Sequence, residues 1–174
     1  MANVEPDRTD NGSPFWQFSL AFYQRSQVQE ACLTSQDQSG ADVNMILYLL
    51  FAATSECALT RQSVVDLDAF VAPWRDEVVG PLRSIRRALK TIDFPPIDAV
   101  MALRTRVKSD ELESERLQQE AMFVFAQTLH SRNCSATKAA KENLDHYDNC
   151  LKNKIPSEVL EKIHNEFSAF LTAG

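Results

Sequence analysis

The chain has 174 residues, 44% of them hydrophobic, which is enough for one domain with its own core and no need of disulfide staples. A net charge of −6 argues against a general nucleic-acid binder, which needs a surplus of Lys and Arg on one face. Four glycines and seven prolines are too few for the turns of a β-sandwich or barrel, so the expected fold class is all-α: a compact single-domain bundle of about six to eight helices.

Residues 1–12 are polar, with neither the basic nor the apolar region of a signal peptide, and read as a disordered tail ahead of a single domain over 13–174. Ser13-Pro14 opens a first helix, because Ser caps free amides and Pro suits the first helical position; Phe15, Phe18 and Phe22 give it an aromatic face. Ser26 to Gln29 has the form of a capping box and starts a second helix through Val28, Ala31, Cys32 and Ser35, ended by Gly40. Asp42 caps a third. Its run from Met45 to Ala53 is apolar all round, which predicts a buried central helix. That run is far shorter than the roughly 20 residues needed to cross a bilayer, so no membrane partner is expected.

Thr60 and Ser63 offer starts for a helix carrying Val64, Leu67, Phe70, Val71, Trp74 and Val78, kinked at Pro73. Gly80-Pro81 should stop it and begin another, with Leu82, Ile85 and Leu89 towards the core and Arg83, Arg86, Arg87 and Lys90 away from it. Asp93 to Pro96 is a linker, dividing 13–92 from the C-terminal helices of 97–174. Beyond it, Val100, Leu103 and Val107 form one apolar stripe and Leu117, Ala121, Val124 and Thr128 another, on either one long helix or two. Ser135 caps a helix with Ala140, Leu144, Tyr147 and Leu151. Pro156-Ser157 opens a last one with Leu160, Ile163, Phe167 and Phe170.

Cys32, Cys57, Cys134 and Cys150 show no CxxC spacing, so reduced thiols and a cytoplasmic location are expected; three of the four stand in apolar helical surroundings and read as small core residues. His130 and Cys134, like His146 and Cys150, stand four apart, on one face of a helix. Ser135 starts a new helix between the two pairs, so they do not converge, and no metal is expected. No Gly-rich phosphate loop, HExxH or GxSxG pattern is present, which leaves no cofactor to assign.

Two polar groupings are candidates for function. Gln36, Asp37, Asp42 and Asn44 lead into the most hydrophobic helix, where they serve either as caps or as a polar pocket closed by Arg75. Trp74, Arg75, Arg83, Arg86 and Arg87 crowd basic groups beside an indole. They form either a solvated face or a site for a carboxylate, a phosphate or an acidic protein surface.

Phe15-Trp16-Gln17-Phe18-Ser19-Leu20, Tyr23, Ala31-Cys32-Leu33, Gln36-Asp37, Gly40 and Asp42-Val43-Asn44 are followed in order by Trp74-Arg75, Pro81-Leu82-Arg83 and Arg86-Arg87-Ala88-Leu89-Lys90. This pattern, over Pro14 to Lys90, resembles an uncharacterised proteobacterial family known as a domain of unknown function. The departure from it is at Arg25-Ser26-Gln27, where such proteins often carry a Pro-Gly turn. The resemblance implies a helical bacterial cytoplasmic protein and brings no activity with it.

The function expected first is that of a non-catalytic interaction or regulatory protein presenting the Arg-rich helix to an acidic protein partner. The alternative is a small-molecule binder or enzyme that takes an anionic ligand in the pocket around Gln36, Asp37, Asp42 and Asn44. A homodimer stays open, through Phe or Leu side chains of the terminal helices.

Overall fold

The computed structural model describes residues 12–173, so the tail expected over 1–12 lies outside the described residues except for Gly12. Those residues form α1 (Pro14–Tyr23), α2 (Ser26–Ser39), α3 (Val43–Thr54), β1 (Cys57–Leu59), α4 (Arg61–Trp74), α5 (Gly80–Thr91), α6 (Ile97–Phe125), β2 (Ser131–Asn133), α7 (Ala136–Asp148) and α8 (Ser157–Ala173). The expected all-α bundle is therefore the fold, with one addition: β1 and β2 pair antiparallel, Ala58 opposite Arg132.

Helix α3 is the hub. Every residue from Asn44 to Leu50 is buried, as are Ala52 and Ala53, because the helix has an apolar side for each neighbour. Asp42 caps it, its Oδ1 accepting Asn44 N–H at 2.8 Å. On one side Phe15 meets Tyr48 edge to face with centroids 5.1 Å apart, and Phe18, Phe22, Phe51, Phe167 and Phe170 extend the cluster to α8. On another, Asn143 of α7 is fully buried and donates to the carbonyls of Leu49 and Cys57 at 3.0 Å each, while accepting Leu59 N–H at 2.8 Å. One amide thus fastens β1 to the central helix.

Several local expectations are corrected. Arg25, not Ser26, is the N-cap of α2, and its side chain reaches Glu166 of α8 at 2.6 Å, so the capping box does not form. Gly40 does close α2 in the left-handed conformation, φ +70°. Gly80-Pro81 is no break. From Arg61 to Thr91 the backbone stays helical, and Arg75–Val79 forms a wide π-turn in which Gly80 N–H bonds Arg75 O, five residues back. Residues 97–125 are one helix of 29 residues. Among the cysteines Cys32 is the fully buried one; Cys57 and Cys134 belong to the ribbon and its edge, half-buried, and Cys150 is exposed just past the end of α7, where the neighbouring Leu151 is half-buried. His130 and Cys134 flank β2 and share no helical face.

The largest departure concerns α5 and α6. Ile85 is exposed, while Arg83 and Arg86, expected outside, lean onto α6 with about a quarter of each side chain accessible. On α6 the side packed inward runs Val107, Glu111, Ser114, Gln118 and Met122, and Leu117 and Val124 look outward, Val124 at 70% exposure. A helix normally turns its apolar stripe to the core. Here a polar stripe of the same three-and-four spacing takes that place, because its partners on α3 and α5 are themselves polar.

Candidate functional site

Five helices leave a cleft of about 460 Å³ between them. Helix α1 contributes Trp16, Ser19, Leu20 and Tyr23, four residues of one helical face. Leu33 and Gln36 come from α2, and Val43, Asn44 and Leu47 from the start of α3, where the Asp42 cap fixes the direction of the helix. Arg83, Arg86 and Arg87 of α5 form another wall. Along α6 the lining is Lys108, Glu111, Leu112, Glu115 and Gln119, a row that follows the helix axis. A volume of this order, largely apolar walls and a few placed polar groups are the marks of a small-molecule site.

The charges in the cleft are arranged, not loose. Arg83 donates from Nε to Glu111 at 3.0 Å and from Nη2 to Glu115 at 2.6 Å, and Arg86 holds both oxygens of Glu111. Burial pushes the Glu111 carboxyl up, but the hydrogen bonds from Arg86 and Arg83 outweigh it and hold the group below the ordinary carboxylate range. Glu115 goes the other way. Its burial prevails over the single bond from Arg83, and its pKa is raised. Burial also pushes the Tyr23 hydroxyl up to about 12. Arg87 bonds Asp37 on the outer surface at 2.8 Å, and Lys108 makes no ion pair among the described residues.

Two lining side chains are polar, buried and unmatched. Ser19 and Gln119 are each 3% exposed, and neither Ser19 Oγ nor Gln119 Oε1 has a hydrogen-bond partner among the described residues. Gln119 uses its Nε2 on Asn44 Oδ1 at 2.8 Å, which turns the acceptor end of the amide loose. Leaving a buried acceptor unpaired costs on the order of 1–3 kcal/mol, so such atoms call for an explanation. Ser19 has no base beside it to activate the hydroxyl, and Glu115 is the one lining carboxyl with a raised pKa. The arrangement is equipped to bind and orient.

The residues singled out in the sequence divide into three groups. Gln36, Asn44, Arg83, Arg86 and Arg87 line the cleft. Asp42 lies behind it, buried: Oδ2 accepts Gln118 Nε2 at 2.7 Å, Arg75 Nη1 stands 3.6 Å away, and burial raises its pKa against both. Arg75 is spent on Asp68 at 2.7 Å, Trp74 donates from Nε1 to Ser114 O at 3.0 Å, and Asp37 faces solvent; none of these three reaches the cleft. Sequence reasoning missed Trp16, Ser19, Tyr23, Glu111, Glu115 and Gln119. The available signal was the row of polar residues at 111, 114, 115, 118 and 119, in phase with the buried Val107 and Met122.

Among the described residues no three His, Cys, Asp or Glu side chains come together as a metal site, and no helix is long and apolar enough to cross a membrane. No curated protein and no solved structure matches the chain. A family model described as "Protein of unknown function (DUF2390)" does, over residues 14–122, which extends the likeness read up to Lys90 through most of α6. That span contains every residue lining the cleft, from Trp16 to Gln119, and stops short of α7 and α8. It covers more than half of the chain, and the protein belongs to this family of unknown function.

Proposed function

We propose that the protein is a small-molecule binder whose site is the cleft between α1, α2, α3, α5 and α6. The observation that carries this reading is the pair of buried, unmatched polar atoms, Ser19 Oγ and Gln119 Oε1, set in largely apolar walls. A protein that folds at the cost of two desolvated polar groups recovers that cost when a ligand bonds them. The four free cysteines support placing it in a reducing compartment, the cytoplasm.

The test is a thermal-shift screen of amphipathic compounds on the wild type and on Leu20→Trp and Leu112→Trp, which narrow the cleft from two exposed lining positions. Compounds that raise the Tm of the wild type and fail with both variants support the reading. A screen without such compounds, or one whose effects survive both substitutions, rejects it.

A second reading, an acidic protein partner, rests on the α5–α6 hairpin. Residues 80–108 hold seven Lys and Arg against Asp93 and Asp98, in a chain that is acidic as a whole. Arg83 and Arg86 are engaged with α6, so Lys90, Arg104 and Arg106 are the residues for such a contact. Replacing these three by Glu should abolish binding of an acidic polypeptide, and unchanged binding rejects this reading.

A further inference from the structure

The cleft has a direction. Helix α1 runs antiparallel to α6: Ser13 N–H bonds Glu120 at 2.8 Å near one end, while Tyr23, near the other, feels the charges of Glu115 and Arg83. Helix α5 is also antiparallel to α6, with Arg83 on Glu111 and Glu115 and Arg86 on Glu111, which brings Arg87 level with the Lys108 end. From Lys108 to Gln119 the α6 row spans about 16 Å along the helix axis. One end of it gathers acceptors: Gln119 Oε1 without a partner, Ser19 Oγ likewise, and the Glu115 carboxylate, held by a single bond from Arg83. The other end gathers cations: Lys108, exposed and without an ion pair among the described residues, and level with it along the helix Arg87, which pairs with the exposed Asp37. Between them lie Leu20 and Leu112, and Glu111 is neutralised there by two guanidiniums.

Resting on the ligand-binding reading above, we infer that the cleft takes an elongated dipolar ligand with an apolar middle. Its N–H-donating head, an ammonium or comparable group, sits at Gln119, Ser19 and Glu115, and its carboxylate or other anionic group at Lys108 and Arg87. A donor is the group that Gln119 Oε1 lacks, since an amide oxygen cannot bond an anion. An anion is what an unpaired ammonium and an exposed guanidinium at the opposite mouth favour. The leucines between the two ends reward methylenes and set the length.

Isothermal titration calorimetry on the full chain at neutral pH separates the elements of this inference with three probes of one length, each below its micelle-forming concentration. These are ω-aminododecanoate, dodecanoate and dodecylamine. The expected order places ω-aminododecanoate tightest. Gln119→Leu should weaken both amine-bearing probes about tenfold and leave dodecanoate unchanged, and Lys108→Ala should weaken both carboxylate-bearing probes and leave dodecylamine unchanged. Ser19→Ala, a smaller change at the acceptor end, repeats the first comparison if Gln119→Leu fails to fold. If either single-headed probe binds as tightly as ω-aminododecanoate, or the variants weaken all three alike, the dipolar assignment is overturned while the cleft remains a ligand site. If no probe binds, or all bind Leu112→Trp as they bind the wild type, the ligand-binding reading falls with it.

Discussion

The Tyr147 hydroxyl accepts the backbone N–H of Asp42 at 2.8 Å, joining the last turn of α7 to the cap of α3 across 105 residues of chain. Asp42 uses its side chain on Asn44 N–H and Gln118, so the tyrosine is what satisfies its own amide. Tyr147 is 1% exposed, so the bond it accepts lies away from solvent. Tyr147→Phe should therefore lower stability by about 1–3 kcal/mol, read as a lower urea midpoint with an unchanged slope.

Asn143 should prove still less replaceable. Its amide serves three backbone groups, the carbonyls of Leu49 and Cys57 and the N–H of Leu59. Asn143→Leu strands Cys57 O and Leu59 N–H in the interior and takes a second donor from Leu49 O, and a loss of about 3 kcal/mol is expected from that penalty repeated. Chemical denaturation measures it. Faster hydrogen exchange at Leu59 would show that the ribbon is what is released.

Two carboxylates should give the protein opposite pH responses. Burial raises the Asp42 pKa, so the folded chain holds that proton more tightly than the unfolded one, and ionising it costs stability as pH rises through the raised value. Asp42→Asn keeps a capping acceptor and should gain on the wild type over that window. Glu111 is lowered in the fold, so its contribution is full above the ordinary carboxylate range and is lost as pH falls through the lowered value. Glu111→Gln should thus be weakest at neutral pH and approach the wild type in acid. Urea midpoints measured across the acid range check both, and parallel curves for the two variants would contradict the assignment.

The reversed face of α6 can be tested directly. Leu117→Glu and Val124→Lys alter exposed positions and should change stability by no more than about 0.5 kcal/mol. Gln118→Leu removes the donor to the buried Asp42 Oδ2 and should cost about 1–3 kcal/mol, although it adds an apolar group to the interior. Hydropathy alone predicts the reverse order, so a single set of thermal melts decides between them.

That reversal also marks how far the sequence could be read. The central helix was legible because Met45 to Ala53 is apolar on every side, and so were the Ser13, Asp42 and Thr60 caps and the left-handed Gly40, each a local effect. The stripes of α7 and α8 were legible for the same reason. The strands were not: each has three residues, and their pairing is held by Asn143 and by Ser63, whose hydroxyl donates to His130 O at 2.8 Å, both remote in sequence. Less than a third of the cleft lining followed from the sequence, through Gln36, Asn44 and the three arginines. The rest stayed hidden because a buried carboxylate such as Glu111 is recognised only with its guanidiniums in place. Ser19 and Gln119 stayed hidden because the polarity of a side chain says nothing about whether it finds a partner.

The π-turn at Arg75–Val79 sets the angular phase of everything after it. An α-helix turns about 100° per residue, and a π-turn holds one residue more than that winding needs. Removing Val78 would restore ordinary winding and rotate α5 by one step, so that the positions now held by Arg83 and Arg86 would receive Ser84 and Arg87. Glu111 and Glu115 would then share a single guanidinium, and the cationic rim would lose Arg87 to the interior. One surplus residue, placed about one turn ahead of Arg83, thus works as the timing mark by which a long rod delivers its arginines to the right side.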